Sequence, residues 1–333
     1  MARTDSLTPV SGEQISIRRA QESDRRALEL IAARTWEGHD YLPEVISDWL
    51  ADHEGEFVVA TLGAEGRVVG TGKLTRLGTG EWWMEGMRVD PDMYGKGIGG
   101  ILHRYAVTRA HDLADDGGLL RFSTDDENTA VHRMAAETGF ALVATFRRYL
   151  AGASAAQGGA DSFSVIGPDE IGPVRAYLES SPTYAHAQRS AVMRRRWSCR
   201  LITDDRLREW AANNMLLGWH GRRGDRSQLD GVMIAQRTEG ERGTEHGPEW
   251  TVLYLDAIPG GLALMAQAAR GLAAARGCST LWHMLLARPE RLVAIEQAGW
   301  RRPNDDSGRA CLFSRLLTAP DRDQHMNQHT ERK

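Results

Sequence analysis

The chain has 333 residues, 41% of them hydrophobic, and a formal net charge of −4. That length suffices for two domains, and the weak negative balance excludes the broad basic field by which proteins attract nucleic acid. No stretch reaches the roughly 20 apolar residues of a membrane span, and Met1 to Glu13 lacks the apolar core of a signal peptide. The three cysteines, Cys199, Cys278 and Cys311, are isolated and lack zinc-site or redox-pair spacing. They read as buried thiols in a reducing compartment. The expectation is a cytoplasmic protein with no metal, nucleic-acid or membrane partner, for which a homo-oligomer stays open. Lysine occurs only at 73, 96 and 333, so arginine carries nearly all the positive charge. The run Arg194-Arg195-Arg196 beside Trp197 reads as a solvated helix end.

In chain order, residues 15–18 predict a short strand and 25–34 a helix, with Ser23 as a candidate N-cap. A second helix is expected over 41–50, where Leu42, Val45, Ile46 and Leu50 recur at helical spacing. Strands follow over 56–62, 68–76 and 82–89, with glycine turns at 63–66 and 78–80. Then comes Val89-Asp90-Pro91-Asp92-Met93-Tyr94-Gly95-Lys96-Gly97-Ile98-Gly99-Gly100. It reads as a strand ending at a proline, a turn through closely spaced glycines, and a helix over 101–111. Glycines let backbone N–H groups converge on a phosphate, and a helix start adds unpaired donors and a positive dipole end.

The nucleotide-triphosphatase loop is excluded, because Lys96 stands between glycines and Ile98 follows Gly97. Gly95, Gly97 and Gly100 match a dinucleotide fingerprint by letter. Strands precede the loop, however, and Pro91 to Tyr94 intervene, whereas that fingerprint opens a βαβ fold. A plain glycine turn is the remaining alternative. Beyond the loop, a strand is expected over 119–123, a helix from Asn128, and a strand over 140–149. This order is α/β with a mixed sheet.

Residues 151–160, Ala-Gly-Ala-Ser-Ala-Ala-Gln-Gly-Gly-Ala, read as a flexible linker by composition. The second half repeats the order more weakly. Strands are expected over 232–236 and 250–256, a helix over 261–276, a strand over 280–285, a helix over 289–298 and a last strand over 310–317. Gly299-Trp300 after one helix echoes Gly139-Phe140 after another. The domains expected are 14–150, a linker 151–161, a second domain 162–318, and a disordered tail 319–333, in which His325 and His329 are weak metal candidates.

Glu85-Gly86-Met87-Arg88-Val89-Asp90-Pro91 followed by Tyr94-Gly95-Lys96-Gly97-Ile98-Gly99 resembles the acyl-CoA-binding motif of the GNAT acyltransferase superfamily. That motif is a strand, V-x-P, a short spacer, then [RQ]-x-x-G-x-[GA] at a helix start. The run from Asn128 to Phe140 is similar to the superfamily's second signature, in which an asparagine opens a helix ending in Gly-Phe. The resemblance implies two GNAT-like domains, each a mixed central sheet flanked by helices. The second is degenerate, since Ala257-Ile258-Pro259-Gly260-Gly261 is too short to wrap a pyrophosphate.

The resemblance further implies acetyl-CoA as acyl donor. Backbone groups of Met87, Arg88 and Val89 would line its arm, and amides of Gly95, Lys96, Gly97, Ile98, Gly99 and Gly100 would face its pyrophosphate. Asn128 would reach the cofactor near the arm. Tyr94 stands where arginine or glutamine is usual and would touch a phosphate or cover the adenine. Transfer to an amine needs a deprotonated nucleophile, a polarised carbonyl and a proton for the thiolate. Glu85 is the candidate base, placed by the period of two on the face of Met87 and Val89, with burial beside Trp83 raising its pKa. The alternative is a glutamate paired with Arg88 or Arg121. Many relatives carry a tyrosine seven residues after the asparagine. Ala135 stands there, which leaves His132, Ser123 or water as the acid.

Asp40-Tyr41-Leu42-Pro43, Trp49-Leu50 and Glu85 to Val89 also look like the acyltransferases that include histidine N-acetyltransferases. This implies a small-molecule primary amine as acceptor, such as the α-amino group of an amino acid like histidine. Asp40, Tyr41 and Trp83 would line its site; a helix cap and core packing are the plainer roles for them. A protein or peptide amine, an antibiotic, and an acyl-CoA sensor without turnover stay as alternatives.

Overall fold

A computed structural model describes residues 6–7, 14–38, 40–114, 117–193, 197–221, 228–239, 247–303 and 308–318. The expected tail with His325 and His329, and Arg194 to Arg196, lie outside the described residues. The chain forms an α/β fold of two compact units. One holds residues up to Phe122, Thr129–Ala141 and those from Ser314 on; the other holds Ser123–Asn128 and Leu142–Phe313. The sequence cut near residue 150 is a single break in the chain, whereas each unit takes a piece from the far half.

In the first unit the strands are β1 (Ser6–Leu7), β2 (Ile15–Arg19), β3 (Glu56–Leu62), β4 (Arg67–Gly78), β5 (Glu81–Val89) and β6 (Gly118–Thr124), lying in that order. Neighbours pair antiparallel as far as β5, and β6 runs parallel to β5. A parallel neighbour needs a crossover, supplied by α3 (Ile98–Leu113). The other helices are α1 (Arg25–Ala33), α2 (Leu42–Ala51) and α4 (Thr129–Glu137).

β3 is buried at every position, as a strand covered on both faces must be. Val58 and Ala60 pack with Ile98, Ile101 and Leu102 of α3. Phe57 and Val59 pack with Leu28 of α1 and with Leu42, Val45, Ile46 and Trp49 of α2. Those α2 positions follow the helical period that the sequence displays. Asp24, not Ser23, precedes α1 as its N-cap residue. Its carboxylate accepts from the Gln21 amide at 2.8 Å and is held by Arg18 at 2.7 Å.

The second unit orders its strands β7 (Ala141–Gly152), β14 (Thr280–Leu286), β13 (Glu249–Ala257), β12 (Gly231–Thr238), β11 (Leu216–Trp219) and β8 (Phe163–Val165). β13 and β14 are parallel and joined by α8 (Leu262–Ala275), and α9 (Pro289–Gln297) follows. The helices α5 (Ile171–Ser180), α6 (Pro182–His186) and α7 (Asp204–Ala212), and the hairpin of β9 (Ser190–Val192) with β10 (Cys199–Leu201), complete the stretch in which the sequence suggests no elements. The last strand is β15 (Arg309–Leu317).

Residues 151–161 differ from a flexible linker. The Ala153 amide donates to Ser279 O at 2.9 Å and the Ser154 amide to Arg270 O at 3.1 Å. A Cβ on Gly271 would stand 2.0 Å from Gly158 O, and one on Gly159 2.7 Å from Ala268 Cβ. Small residues here permit close approach to α8 rather than chain freedom.

Candidate active site

The first unit's site starts with an irregularity in the hairpin of β4 and β5. The register pairs Thr71 with Arg88 but Lys73 with Glu85, so β5 carries one extra residue. Gly86 takes it up at φ 66°, and a Cβ there would lie 2.4 Å from the Trp49 ring. Only glycine meets both conditions. The bulge also breaks the two-residue alternation, so the inference that Glu85 shares a face with Met87 and Val89 does not carry across it. Met87 and Val89 pack toward the α3 side.

β5 pairs with β6 only through Glu81–Leu119, Trp82–Leu120 and Trp83–Arg121. Met84 to Val89 run on beyond the last pair. Two charged contacts fix the strand's ends. Arg121 pairs with Glu81, both buried. Arg88 donates from Nε to Asp40 Oδ2 at 2.7 Å and from Nη2 to Asp40 Oδ1 at 3.0 Å. Both candidate arginine partners of Glu85 are thus engaged by other carboxylates. Glu85 is half-buried, and its Oε1 accepts from Thr75 Oγ1 at 2.6 Å.

Lys73, directly across from Glu85, is buried and pairs with Asp52. Burial pushes its pKa down, and the Asp52 carboxylate opposes that shift. The turn that carries Asp52 closes on it, since a Cβ at Gly55 would meet Lys73 Nζ at 2.2 Å.

After β5 the chain makes a short turn over Pro91–Met93, where Asp90 accepts from the Asp92 amide at 3.1 Å. Arg34 of the α1 end holds Asp90 at 3.1 Å and Asp92 at 2.6 Å. The Tyr94 amide is spent within this turn, donating to Pro91 O at 3.2 Å. Gly95 and Gly97 follow at φ 75° and 81°, and a Cβ on either would meet no atom within 4 Å. Backbone conformation, not crowding, calls for glycine there.

α3 begins at Ile98, a turn earlier than expected, with Gly97 as its cap and no side chain capping it. Its first recorded ladder bond is from the Ile101 amide to Gly97 O at 3.1 Å. The amides of Ile98, Gly99 and Gly100 therefore stand ahead of the ladder, and the helix dipole's positive end lies with them. Ile98 is buried, which anchors the turn, while Gly95, Lys96 and Gly97 are exposed. The cradle suits a diphosphate: successive donors, no Cβ in the way, and Lys96 beside them.

The other expected residues divide. Asp40 is buried on Arg88 and also accepts from the Leu42 amide at 3.0 Å, so its carboxylate is fully engaged in structure. Tyr41 is half-buried, edge-on to Trp49 at 6.3 Å. Trp83 is 1% exposed and is a core residue, offering no face to a ligand. His132 is half-buried on α4, and Ala135 is fully buried. Asn128 donates from Nδ2 to Thr124 Oγ1 at 3.1 Å, within the segment that clusters with the second unit. Sequence reasoning undervalued Trp36, which is 59% exposed, has φ 47°, and stacks on the Arg88 guanidinium at 4.0 Å. Its signal in the sequence is its place, with Trp49, Trp82 and Trp83, in a candidate aromatic wall.

Residues 22–140 match the model of the Acetyltransferase (GNAT) family. Over that segment the chain is similar to GNAT acetyltransferases. Histidine N-acetyltransferase of Oreochromis niloticus is 28% identical over 118 residues, 35% of this chain and 34% of that protein. The same enzyme of Scomber australasicus is 26% identical over 129 residues, 37% and 38% of the two chains. The matched segment thus spans a little over a third of each relative's length.

Likeness in fold to solved structures extends further along the chain. A GCN5-related N-acetyltransferase from Sphaerobacter thermophilus superposes with a TM-score of 0.59 at 16% identity, covering 94% of this chain and 98% of that one. A glucosamine N-acetyltransferase region of a fungal multi-domain β-N-acetylglucosaminidase gives a TM-score of 0.60 at 12% identity, over 94% and 38%. Among the described residues no helix is long and apolar enough to cross a membrane, and no group of histidine, cysteine and carboxylate residues could hold a metal ion.

Proposed function

We propose that the protein is an N-acetyltransferase that moves an acetyl group from acetyl-CoA to a primary amine of a small molecule, with the α-amino group of an amino acid such as histidine as the leading acceptor. One observation carries the reading. The amides of Gly95 to Gly100 stand ahead of the α3 ladder, immediately after a strand whose last six residues run past their parallel partner. When bound, acetyl-CoA supplies the acyl group as an activated thioester. The glycine turn holds the diphosphate through backbone donors, and Met87, Arg88 and Val89, beyond the last pair with β6, orient the arm.

Glu85 acts as general base toward the acceptor ammonium, directly or through one water. The Thr75 hydroxyl donates to Oε1, which fixes the orientation of the carboxyl that takes the proton. The leaving thiolate needs little help, because a thiol ionises near pH 8.5; His132 is the protein group proposed to return its proton. Asp40 serves the acceptor by locking Arg88, and the acceptor wall falls to Tyr41 and Trp36. The likeness to histidine N-acetyltransferases supports an amino-acid acceptor.

The buried Ala135, where many relatives have tyrosine, favours a second reading, a sensor that binds acyl-CoA without turnover. A thiol-release assay with acetyl-CoA across amino acids, polyamines, peptides and antibiotics separates them. Release with histidine or a related amino acid supports the proposal. Tight acetyl-CoA binding with no acceptor turned over would leave only the sensor.

A further inference from the structure

The turn that leads into the cradle of amides carries two carboxylates close to where an anion has to dock. Asp90 and Asp92 stand five and three residues ahead of Gly95, and three residues reach at most roughly 11 Å. At low ionic strength a charge still acts over that distance. Left uncompensated, both carboxylates would repel a diphosphate arriving at the amides of Gly95 to Gly100.

The backbone of this turn is fixed by other means. The Asp90 amide donates to Val69 O at 2.9 Å and the Met93 amide to Asp90 O at 2.8 Å. Met93 is buried in the core with Ile98 and Ile101 of α3. Neutralising a carboxylate should therefore leave the turn in place.

Arg34, at the end of α1, answers both acids. Its Nη1 donates to Asp90 Oδ1 at 3.1 Å and to Asp92 Oδ2 at 3.0 Å, and its Nη2 to Asp92 Oδ1 at 2.6 Å. One guanidinium thus spans the two carboxylates and is bidentate on the second, the strong form of such a contact. That hydrogen bond, with further attraction from Arg67 and Lys96, holds the Asp92 carboxyl below its usual pKa. Arg67 and Lys96 themselves reach the Met93 sulfur, each at 3.4 Å.

We infer that Arg34 is a positioning residue for acetyl-CoA, which neutralises Asp90 and Asp92 so that the glycine turn beside them accepts an anion. The inference rests on the reading of that turn as the diphosphate site. Arg34 acts through the two carboxylates and not by touching the ligand.

Calorimetry of acetyl-CoA tests this on the full chain at about 0.01 M and about 0.15 M salt, across which the screening length shortens several-fold. Arg34 and Asp92 are 47% and 68% exposed, and an exposed ion pair adds little stability, so Arg34→Ala should melt near wild type. Its affinity should be weaker by about threefold or more at the lower salt, and the gap should narrow at the higher. Arg34→Ala/Asp90→Asn/Asp92→Asn should return to wild-type affinity, since the amides keep the shape and lose the charge. Gly97→Trp is the reference for the site. If wild type binds no acetyl-CoA, or Gly97→Trp binds it normally, the reading of the turn fails and the inference with it. If Gly97→Trp abolishes binding while Arg34→Ala binds like wild type, the reading stands and the inference is overturned. A loss that ignores salt, or that persists in the triple variant, overturns it as well.

Discussion

Arg88 and Asp40, 48 positions apart in sequence, form a two-bonded ion pair in which the carboxylate is wholly shielded from solvent and the guanidinium nearly so. The third nitrogen of Arg88 donates to Met87 O at 3.0 Å, and the indole of Trp36 covers the guanidinium. Removing one member of a buried pair leaves an uncompensated charge, at about 3 kcal/mol or more. Asp40→Ala should therefore lower the melting temperature by roughly 6–12 °C. Asp40→Ala/Arg88→Met, which removes both charges, should recover much of that. A double variant no more stable than the single one would show that the pair is not what holds this corner.

Glu85→Gln tests the base. The amide oxygen can still accept from Thr75, so the hydrogen bond of 2.6 Å survives while the proton acceptor is lost. Turnover should fall by about a hundredfold or more, within the range for removing a general base, with the KM for acetyl-CoA changed less than about threefold. Normal turnover would place the base elsewhere.

How much of this was legible in the sequence follows from the range of each interaction. The glycine turn could be read because its parts lie within twelve consecutive residues and Gly95 and Gly97 each have a local backbone reason. The pairing of Arg88 with Asp40, and of Arg121 with Glu81, could not, since nothing local tells which of several carboxylates an arginine will meet. The alternation rule failed at Gly86 because a bulge depends on the partner strand. Trp83 looked like a candidate for an aromatic wall, yet its strand is covered on both faces there and it became core. β8 to β11 escaped notice because each is only three or four residues long.

Gly97→Trp bears on the cofactor turn. With φ at 81° the substitution strains the backbone by about 1–2 kcal/mol, but nothing lies within 4 Å of the new Cβ, so the unit should still fold. An indole there would stand over the amides that precede the α3 ladder. Acetyl-CoA affinity measured by calorimetry should drop beyond detection, whereas circular dichroism stays that of wild type. Unchanged affinity would refute the assignment of the turn.

Two buried histidines predict acid lability. His103 donates from Nε2 to Thr138 Oγ1 at 2.8 Å and lies edge-on to Phe122. His283 donates from Nδ1 to Val252 O at 2.8 Å. Burial lowers the pKa of each to about 4, assisted by Arg104 and Arg315 at His103 and by Arg291 at His283. A depressed pKa means that the unfolded chain takes up the proton first. Stability is then complete above about pH 6.5 and is lost as pH falls toward 4. The loss approaches about 3 kcal/mol for each histidine. Urea unfolding between pH 4.5 and 7 should show this slope, and His103→Phe should flatten it for the first unit. A variant with the wild-type slope would assign the acid sensitivity to other groups.

The second unit repeats the geometry of the first but fills it with its own groups, from which one cofactor site per chain is predicted. β13 opens with Glu249-Trp250 as β5 opens with Glu81-Trp82, and its pairing with β14 likewise ends early, at Val252 with His283. Beyond that point Leu255 O accepts from Arg291 Nη2 at 2.7 Å. Asp256 pairs with Arg291 at 2.9 Å and accepts from Tyr177 at 3.1 Å and Ser181 at 2.5 Å. The turn before α8 is closed as well: the Ile258 amide donates to Asp230 O and the Gly261 amide to Ile258 O, both at 2.8 Å. Backbone donors that point outward in the first unit's turn are consumed internally in this one. Calorimetric titration should therefore give one acetyl-CoA per chain, abolished by Gly97→Trp. A stoichiometry of two, or binding that survives that substitution, would mean that the buried Arg291 and Asp256 network opens to admit a ligand.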